Sequence, residues 1–599
     1  MSREPSEAPG LRESLRTLLV FVRLSFSNFP ALALATALLV PLSWVMLPLE
    51  ALWIRRLVDS VTQNPAEANF AAVALAATVC GMWLTSTVGE RVMRTLGNRL
   101  GLVLDRQMTR LWTRIPGLEH HERPEYLDRL ELLRTESWIL KQALESFMHF
   151  AGISARLAIS VVLLVRLHPL LLLLPAAGIP SFLTGRSVEK RLDRVQLRTA
   201  PSRRLSRHLF DLATSAGAGK ELRVFAAGDE ILRRRRTAWR DAHDREFAVQ
   251  WRGAAATTAA AIFFSAGYAA AVALMVVRAS QGRASAGDVV MALVLSAQMN
   301  GMLGSAVGQT TWLVGALRTA SRYVWLQDYA AGAPGPATPV QAPQALREGI
   351  HLDRVSFRYP GTDAWVLSDV DLRLPAGIVV ALVGENGAGK TSLVKLLCRF
   401  YEPSAGTIRV DGADLADLDV EQWRSRLSGA FQDYARFEFL LRESVGVGRL
   451  EDLDDAGRVS HAMARAGASE VTASLPRGLG TQLGSRWQEG EELSGGQWQK
   501  LALARALMRP EPLLLILDEP TSALDAQTEH ALFERFAAES RKGGRVTLLV
   551  SHRFSTVRMA DLIVVLDAGK VAEAGSHAQL MAKGGLYADL YSIQAKAYS

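Results

Sequence analysis

The sequence predicts two unlike domains in one chain: an all-α transmembrane domain of six spans with long cytoplasmic helical extensions, and a following α/β domain. Long apolar segments occupy the first half of the chain and are long enough to cross a bilayer. In the second half, short β-rich apolar runs alternate with helical patterns, as in a buried, largely parallel sheet. The composition, with 49% hydrophobic and 21% charged residues, lies between those of a soluble and a membrane protein.

Length, cysteine content and charge exclude several other classes of protein. A chain of 599 residues is long enough for several domains, and its composition is not that of a disordered or collagen-like chain. The 2 cysteines, Cys80 and Cys398, are too few for a disulfide framework or a cysteine-rich zinc site. The formal charge of +8 suits either nucleic acid or anionic lipid. Because arginines such as Arg233–Arg236 lie in helical connections beside the apolar segments, we expect contact with membrane lipid and no nucleic-acid partner.

The apolar segments define a transmembrane domain, residues 31–330, after a polar cytoplasmic segment of residues 1–30. That first segment lacks the short apolar core and the cleavage site of a signal peptide. The predicted spans are residues 31–54, 70–88, 146–166, 169–185, 254–277 and 289–316.

The connections between the spans predict the topology. Two of them, after the second span and after the fourth, run for about 60 residues and are rich in arginine. Arginine and lysine concentrate in the cytoplasmic connections of membrane proteins. The sequence therefore predicts a multi-pass protein of the cell (inner or cytoplasmic) membrane, with both termini and both long extensions in the cytoplasm.

A stretch rich in Ala, Pro and Gly begins a linker, residues 331–348, ahead of a soluble α/β domain, residues 349–599. Three short β-rich, largely apolar runs, residues 378–383, 513–517 and 546–550, predict buried strands of its sheet.

The first of these runs leads directly into a phosphate-binding loop with the pattern G-x-x-x-x-G-K-[ST]. In such a loop the glycines let backbone amides approach phosphates, and the following helix points the positive end of its dipole at them. The predicted nucleotide-binding residues of the loop are Gly384, Glu385, Asn386, Gly387, Ala388, Gly389, Lys390, Thr391 and Ser392. We expect Lys390 to reach the β and γ phosphates and the Thr391 hydroxyl to bind Mg²⁺.

Two further motifs follow the loop. The run 513–517 ends in Asp518 and Glu519. Asp518 suits Mg²⁺ held through water, and Glu519 suits the orientation or deprotonation of an attacking water. Between loop and carboxylates, Leu493–Gln497 has the sequence LSGGQ and opens a helical run, which offers a second anion-binding helix start.

LSGGQ upstream of LILDEP resembles the ATP-binding cassette (ABC) ATPases, and the likeness spans about residues 350–590. The resemblance implies ATP and Mg²⁺ as cofactors. It also implies that Tyr359 stacks on adenine, that Gln432 touches Mg²⁺ and senses the membrane domain, and that His552 contacts the γ-phosphate. The residues implied to act between paired cassettes are Ser494, Gly495, Gly496, Gln497 and Asp525. One cassette per chain implies a dimer with a second half-transporter, in the simplest case a homodimer, with a heterodimer as the alternative.

Six spans with two long extensions resemble an exporter half of the same family. In that fold, short transverse helices at the extension tips dock onto the cassettes, and the matching regions are Glu122–Asp128 and Gly219–Asp229. The order of the domains favours export of an amphipathic cargo. The stretch 483–492, which contains Trp487, resembles the cassettes of lantibiotic-type peptide exporters, so a modified peptide is the expected cargo. Export of drugs or lipids, import of a chelated metal or vitamin, and a purely regulatory ABC protein are the alternatives.

Polar residues in the sixth span provide the substrate-binding candidates, namely Gln298, Met302, Ser305 and Gln309. Gln298 and Gln309 lie about three turns apart and share a face, and polar groups in a span usually face a bundle interior or a water-filled path. Helix packing through Gly304 and Gly308 is the alternative interpretation.

Two charged groups also have competing interpretations. Arg55 and Arg56, near the outer end of the first span, snorkel to the interface or project into a cavity, and snorkelling is favoured. His120–Glu122 could suggest a metal site, but adjacent residues point to different faces of a helix, so we expect no metal there.

Overall fold

The computed structural model describes most of the chain. The described ranges are residues 11–61, 64–123, 126, 130, 133, 137–332, 339–519, 526–551 and 553–598. They form two compact units. The helical unit comprises the described residues of 1–112 and 129–329, and the α/β unit comprises those of 113–128 and 330–599.

Long helices make up the helical unit. The helices up to residue 331 are α1 (Leu11–Asn28), α2 (Pro30–Ser60), α3 (Pro65–Arg114), α4 (Glu119–Glu122), α5 (Ser137–Leu167), α6 (Leu173–Thr214), α7 (Ala216–Val224), α8 (Gly228–Ser280) and α9 (Ala286–Ala331). The short α4 belongs to the α/β unit. A 3₁₀ turn at Pro169–Leu172 precedes α6.

Within the described ranges, six helical stretches are long and apolar enough to cross a membrane, which confirms the six predicted spans. These stretches are Pro30–Ser60, Pro65–Arg114, Leu144–Leu167, Pro169–Gln196, Gly228–Ser280 and Ala286–Ala331. α3 has 50 residues and α8 has 53, whereas a span needs only about 20. Each of these helices therefore continues past its apolar part as one of the predicted extensions.

Helices α6 and α8 pack closely along one another. A side chain at Gly253 of α8 would place its Cβ 2.6 Å from Cγ1 of Val188, so the glycine permits this approach. Farther from the apolar part, Glu246 of α8 accepts a hydrogen bond from Arg203, and Ser202 donates one to Asp241 at 2.9 Å. Polar contacts thus continue the pairing of the helices where the apolar contacts end.

A charge network joins the end of α2 to the start of α9. Arg55 Nε lies 2.8 Å from a carboxylate oxygen of Asp288. Asp59 accepts hydrogen bonds from the Gly287 N–H at 2.8 Å and from the Ser285 hydroxyl at 2.9 Å. Neither interpretation of Arg55 from the sequence included a protein carboxylate, because its partner is distant in the chain.

The α/β unit contains two sheets flanked by helices. Its strands are β1 (Gly349–Phe357), β2 (Leu367–Pro375), β3 (Val379–Val383), β4 (Ala405–Val410), β5 (Ala413–Asp414), β6 (Leu427–Ala430), β7 (Leu514–Asp518), β8 (Val546–Val550), β9 (Leu562–Asp567) and β10 (Lys570–Gly575). Its helices after α9 are α10 (Lys390–Leu397), α11 (Val420–Ser425), α12 (Leu441–Gly446), α13 (Ala456–Arg465), α14 (Ser469–Ser474), α15 (Gly495–Ala506), α16 (Ala526–Gly543), α17 (Phe554–Val557), α18 (His577–Lys583) and α19 (Leu586–Tyr598).

The larger sheet has six described strands in the order β10-β9-β3-β8-β7-β6, of which only β10 is antiparallel to its neighbour. The three apolar runs form its adjacent strands β3, β8 and β7, each buried along its whole length, as predicted. The carboxyl ends of these parallel strands meet at one edge, where Gly384, Glu519 and Ser551 follow. This edge carries the candidate site.

A second, antiparallel sheet in the order β2-β1-β4-β5 was not predicted. Its strand β2 alternates buried and exposed residues, with only one face packed on the core. Such a strand lacks the continuous apolar run by which the other strands were recognised.

Candidate nucleotide site

The phosphate-binding loop connects β3 to α10, and its glycines have backbone conformations that other residues rarely adopt. Gly384 has φ 152°, and a Cβ there would lie 2.3 Å from the carbonyl oxygen of Leu566. Gly389 has φ 101° and is the residue before α10, where a Cβ would lie 2.6 Å from Leu367 Cδ2. Glycine is therefore required at both ends of the loop, and the sequence motif reflects this local geometry.

Lys390 lies at the centre of the loop. Its ammonium group donates to the carbonyl oxygens of Gly384 at 2.7 Å and of Glu385 at 2.9 Å. The side chain is buried, and burial lowers the pKa of Lys390, while the charges of Glu519 and Asp518 oppose that shift. A buried cation within such a loop suits the recognition of phosphate.

The other loop residues divide between the surface and the core. Glu385, Asn386, Gly387 and Thr391 are exposed, whereas Ala388 and Ser392 are buried. Thr391 is thus on the surface at the start of α10, and its binding of Mg²⁺ stays a prediction.

The carboxylates at the end of β7 lie beside this loop in the sheet. Burial, followed by the charges of Glu519 and Asp433, raises the pKa of Asp518 to about 6. Gln432 Nε2 donates to a Glu519 carboxylate oxygen at 2.9 Å, so two residues predicted from separate motifs are in direct contact. Carboxylate, hydroxyl and amide oxygens are ligands that Mg²⁺ prefers, and Asp518, Thr391 and Gln432 supply one of each kind.

The backbone at Glu519 is held in an uncommon conformation. Its φ is 48°, in the left-handed region. Its N–H donates to the Val550 carbonyl oxygen at 2.9 Å, and its own carbonyl oxygen accepts from Gln499 Nε2 at 2.9 Å. Strain of this kind is maintained only where surrounding contacts fix it, and it is common at active sites.

Tyr359 lies against the start of α10. Its hydroxyl is 2.9 Å from the Ser392 hydroxyl, and its ring packs edge-on against Phe357 and Tyr401 at centroid distances of 5.0 and 5.4 Å. Lys395 Nζ lies 5.2 Å from the centroid of the same ring. Tyr359 therefore lies beside the loop, and its role in stacking on adenine stays a prediction.

The LSGGQ segment begins helix α15 with a capping box. The Ser494 hydroxyl accepts from the Gln497 N–H at 3.2 Å, and the Gln497 side chain accepts from the Ser494 N–H at 2.8 Å. The Gln497 side chain therefore forms this hydrogen bond within the first turn of its own helix. Ser494, Gly495 and Gly496 form the helix start, which is the geometry expected of an anion-binding helix N-terminus.

The stretch 483–492, which distinguishes this sequence before LSGGQ, folds onto the segment that follows Gln432. Trp487 Nε1 donates to the Glu438 carboxylate at 3.2 Å, and Gln482 Nε2 donates to the Glu438 carbonyl oxygen at 2.8 Å. Two segments with unusual sequences are therefore in contact. Two predicted site residues, His552 and Asp525, lie outside the described residues.

The comparisons with known proteins agree with this geometry. The sequence profile of the family described as ABC transporter matches residues 367–522. Residues 367–522 of this chain therefore belong to an ABC-type ATP-binding domain. The phosphate loop, the two carboxylates and the LSGGQ helix start described above lie within this match.

Individual relatives extend the comparison. Over 245 residues, this chain is 44% identical to an ATP-dependent lipid A-core flippase of Alkalilimnicola ehrlichii. The match covers 41% of this chain and 40% of that protein. The chain is also 44% identical over 254 residues to the mitochondrial potassium channel ATP-binding subunit of Homo sapiens, covering 42% of this chain and 34% of that protein. The matches thus span less than half the length of these curated relatives.

The fold of the whole chain is similar to that of a solved ABC exporter. The structure of a bacterial Atm1-family ABC exporter with ATP bound superposes with a TM-score of 0.71 over 98% of both chains, at 23% sequence identity. This chain therefore has the fold of that exporter, with six helices long and apolar enough to cross a membrane ahead of the cassette, and is a multi-pass membrane protein.

One segment between the second and third spans docks on the cassette. The Arg424 guanidinium donates to the Pro116 carbonyl oxygen at 2.5 Å, and Leu118 N–H donates to the Phe400 carbonyl oxygen at 3.4 Å. Glu122 contacts Lys395 at 2.7 Å and Tyr401 at 2.5 Å. Docking at Glu122 agrees with the predicted tip, and the contacts also extend upstream of it.

The neighbouring histidine is a core residue of that docked segment. His120 is 2% exposed, and burial, followed by the charge of His121, lowers its pKa to about 4. His120 is thus neutral at physiological pH, and its environment suits packing.

The candidate substrate residues of α9 do not share one environment. Met302 is 7% exposed and is therefore buried within the helical unit. Ser305 is exposed, and its hydroxyl donates to the Gly301 carbonyl oxygen at 2.9 Å. Gln298 is half-buried, with its side-chain oxygen lacking a hydrogen-bond partner among the described residues, and Gln309 is also half-buried.

The glycines of the alternative interpretation of α9 have no close neighbour among the described residues. A Cβ at Gly304 or Gly308 would meet no atom within 4 Å, so these glycines face open space rather than a neighbouring helix.

The sequence analysis missed a charged residue in the middle of a span. Arg156 lies near the centre of the stretch Leu144–Leu167, and its Nε is buried without a hydrogen-bond partner among the described residues. A single arginine inside an apolar run is the signal that could have found it, since ionisable groups within spans are rare and usually functional.

Proposed function

We propose that this chain is one half of an ATP-driven exporter that moves an amphipathic compound across the cell membrane. The observation that supports it best is the contact of Gln432 with Glu519 beside Lys390 and Asp518, in a cassette fused to six apolar helices. A motor of this kind needs a hydrolytic site and a membrane path in one assembly.

The residues of the site have distinct parts in ATP hydrolysis. The loop amides and Lys390 bind the phosphates, and Tyr359 stacks on adenine. Thr391, Gln432 and Asp518 would hold Mg²⁺, and the ion would supply positive charge against the phosphates. Glu519 orients or deprotonates the attacking water, and Gln432 positions its carboxylate.

A second copy of the chain completes the site. Ser494 and the two glycines after it form a helix start that closes over the nucleotide of the partner subunit. The chain contains its own phosphate loop, its own carboxylates and its own LSGGQ helix start. A homodimer therefore has two complete sites. A heterodimer with a related chain is the alternative. ATP binding closes the cassettes, and hydrolysis releases them.

The arginine-rich extensions lie in the cytoplasm according to the positive-inside rule, with both termini on the same side. The protein then belongs to the cytoplasmic membrane, and the cassettes take ATP from the cytoplasm.

The cargo is best described as an amphipathic compound with an acidic or polar head. Arg156 and Gln298 supply unpaired polar atoms within spans, which suit such a head. A relative named for lipid A-core transport favours a lipid-like cargo over the modified peptide that the stretch 483–492 suggested. The similarity to a channel subunit favours a regulatory ABC protein as the second candidate.

The decisive experiment is ATP hydrolysis and transport by the purified full-length chain in vesicles, beside Glu519→Gln. We expect Mg-ATP hydrolysis by the unmodified protein and a loss of at least about a hundredfold in the variant, with ATP binding retained. In inverted membrane vesicles, an exporter accumulates a fluorescent lipid-like cargo inside. Normal function of Glu519→Gln in the cell would instead support the regulatory protein, because ATP binding would then suffice.

A further inference from the structure

A basic cavity lies between α6 and α8 of the helical unit. Its volume is about 410 Å³, within the range of roughly 300–1,000 Å³ typical of ligand pockets. Four arginines line it, Arg191, Arg194 and Arg198 from α6 and Arg252 from α8. Valines and small residues form the rest of its wall, so the cavity combines positive charge with an apolar surface.

The arginines of α6 lie on one face of the helix. At about 100° per residue, positions 191, 194 and 198 fall within an arc of roughly 60°. Glu189, the nearest described acidic residue of α6, lies about 160° from position 191, on the opposite side. The spacing along α6 therefore places the three arginines on the cavity side and Glu189 on the other side.

These four guanidinium groups have no acidic partner in the part of the chain that the structure describes. Among the described residues, none of them forms an ion pair or a side-chain hydrogen bond. Arg203, farther along α6, is by contrast paired with Glu246. Like charges around one cavity repel each other, so an anion bound there would be stabilised by all four. Guanidinium groups bind phosphate oxygens in pairs and do so more strongly than neutral donors.

The position of the cavity along the helices indicates the source of the anion. Its lining residues run over 184–198 and 249–256, where the predicted spans 169–185 and 254–277 meet the polar extensions. That is the level of lipid headgroups. Basic pockets between helices on the cytoplasmic side of a membrane bind anionic headgroups in this way.

An apolar surface for the acyl chains continues from the cavity into the span. Phe263 is 57% exposed and lies about three turns from Arg252 on the same face of α8. Leu183 of α6 is also 57% exposed, and it directly precedes Thr184, the first residue that lines the cavity. We propose that this cavity binds the phosphate headgroup of an anionic phospholipid, with Arg194 and Arg252 contacting the phosphate from opposite helices.

The site is tested by lipid binding to the full-length protein in detergent, without ATP, so that the result is independent of the proposed transport. The probe is fluorescent phosphatidylglycerol, competed by unlabelled phosphatidylglycerol, by phosphatidylcholine or by inorganic phosphate. Unlabelled phosphatidylglycerol should compete, whereas phosphatidylcholine and inorganic phosphate should not. Equal competition by inorganic phosphate would assign the site to a soluble anion and overturn the lipid proposal.

Charge variants locate the binding. Arg194→Gln with Arg252→Gln should weaken binding roughly 30-fold, from about fivefold for each lost charge near a membrane surface. The matched control is Arg204→Gln with Arg207→Gln, which removes the same charge from exposed positions farther along α6, about 140° and 160° round the helix from position 191, and should change binding less than about threefold. Equal weakening by both pairs would show only general surface attraction and reject the site.

A conservative variant separates binding geometry from folding. Arg194→Lys keeps the charge but loses the paired donors of guanidinium, and should weaken binding a few-fold with an unchanged melting temperature. Binding that stays at the unmodified level in both Arg194→Lys and the double variant would contradict the proposal.

Discussion

The Glu122 carboxylate lies 2.7 Å from the ammonium nitrogen of Lys395, and its second oxygen accepts a hydrogen bond from Tyr401 at 2.5 Å. Lys395 in turn lies 5.2 Å from the centre of the Tyr359 ring, and Tyr359 contacts Ser392 of the phosphate loop. A residue from the connection between the second and third spans is therefore two contacts away from the predicted adenine-binding tyrosine.

Replacing Glu122 by glutamine should loosen this docked segment. The variant retains a hydrogen-bonding side chain but loses the ion pair, which is partly exposed and therefore worth only about 1 kcal/mol. Hydrogen exchange of the amides of residues 113–123 in the full-length protein should rise about fivefold. Glu119→Gln is the matched control, because Glu119 pairs with Arg123 at 2.8 Å within the same segment. Identical exchange in the two variants would reject a special contribution of Glu122.

The docking contact should also depend on pH, but only at acid pH. Burial alone would raise the pKa of Glu122, but hydrogen bonds from Lys395 and Tyr401 outweigh it and hold the pKa below the ordinary value of 4.5. The stabilisation is therefore fully present above pH 4.5 and is lost as the pH falls through the lowered pKa. Exchange of residues 113–123, corrected for intrinsic chemistry, should be constant from about pH 8 to 5. A midpoint near neutrality would contradict the assignment.

Replacing Gln432 by alanine should slow hydrolysis more than it weakens ATP binding. The change removes the amide that contacts the Glu519 carboxylate at 2.9 Å, and loss of such a supporting contact typically lowers activity about 10–100-fold. We expect a lower kcat with a KM for ATP within about threefold of the original. Gln432→Glu, which places a like charge beside Glu519, should be at least as slow. Full activity in Gln432→Glu would exclude a positioning role.

Two glycines of α9 should respond differently to alanine. At Gly287 a Cβ would lie 2.4 Å from the Arg55 carbonyl oxygen, whereas at Gly304 it would meet no atom within 4 Å. Gly287→Ala should therefore destabilise the protein by about 1–3 kcal/mol, and Gly304→Ala should be neutral or slightly stabilising. Thermal unfolding in detergent measures both. Equal melting temperatures for the two variants would mean that α2 and α9 do not approach closely at this point.

Much of the nucleotide site was predictable because its chemistry is local in sequence. The phosphate loop requires glycine at positions 384 and 389 for its own backbone conformation. The start of α15 requires a capping residue, Ser494, directly before Gly495 and Gly496. The buried strands β3, β7 and β8 were predictable as well, since a strand covered on both faces is a continuous apolar run. The six spans were predictable because a helix that crosses a bilayer is apolar over a long continuous segment.

Contacts between distant segments were decided by the tertiary structure alone. No pattern in the sequence pairs Glu122 with Lys395, Arg55 with Asp288, or Trp487 with Glu438, because each pair unites segments that only folding brings together. The antiparallel sheet was missed because β2 alternates buried and exposed residues. The sequence by itself determined the motifs, the spans and the family resemblance, all of which depend on residues near one another in the chain. The burial of Met302 and the grouping of four arginines around one cavity depend on which helices pack together, and packing is a property of the folded molecule.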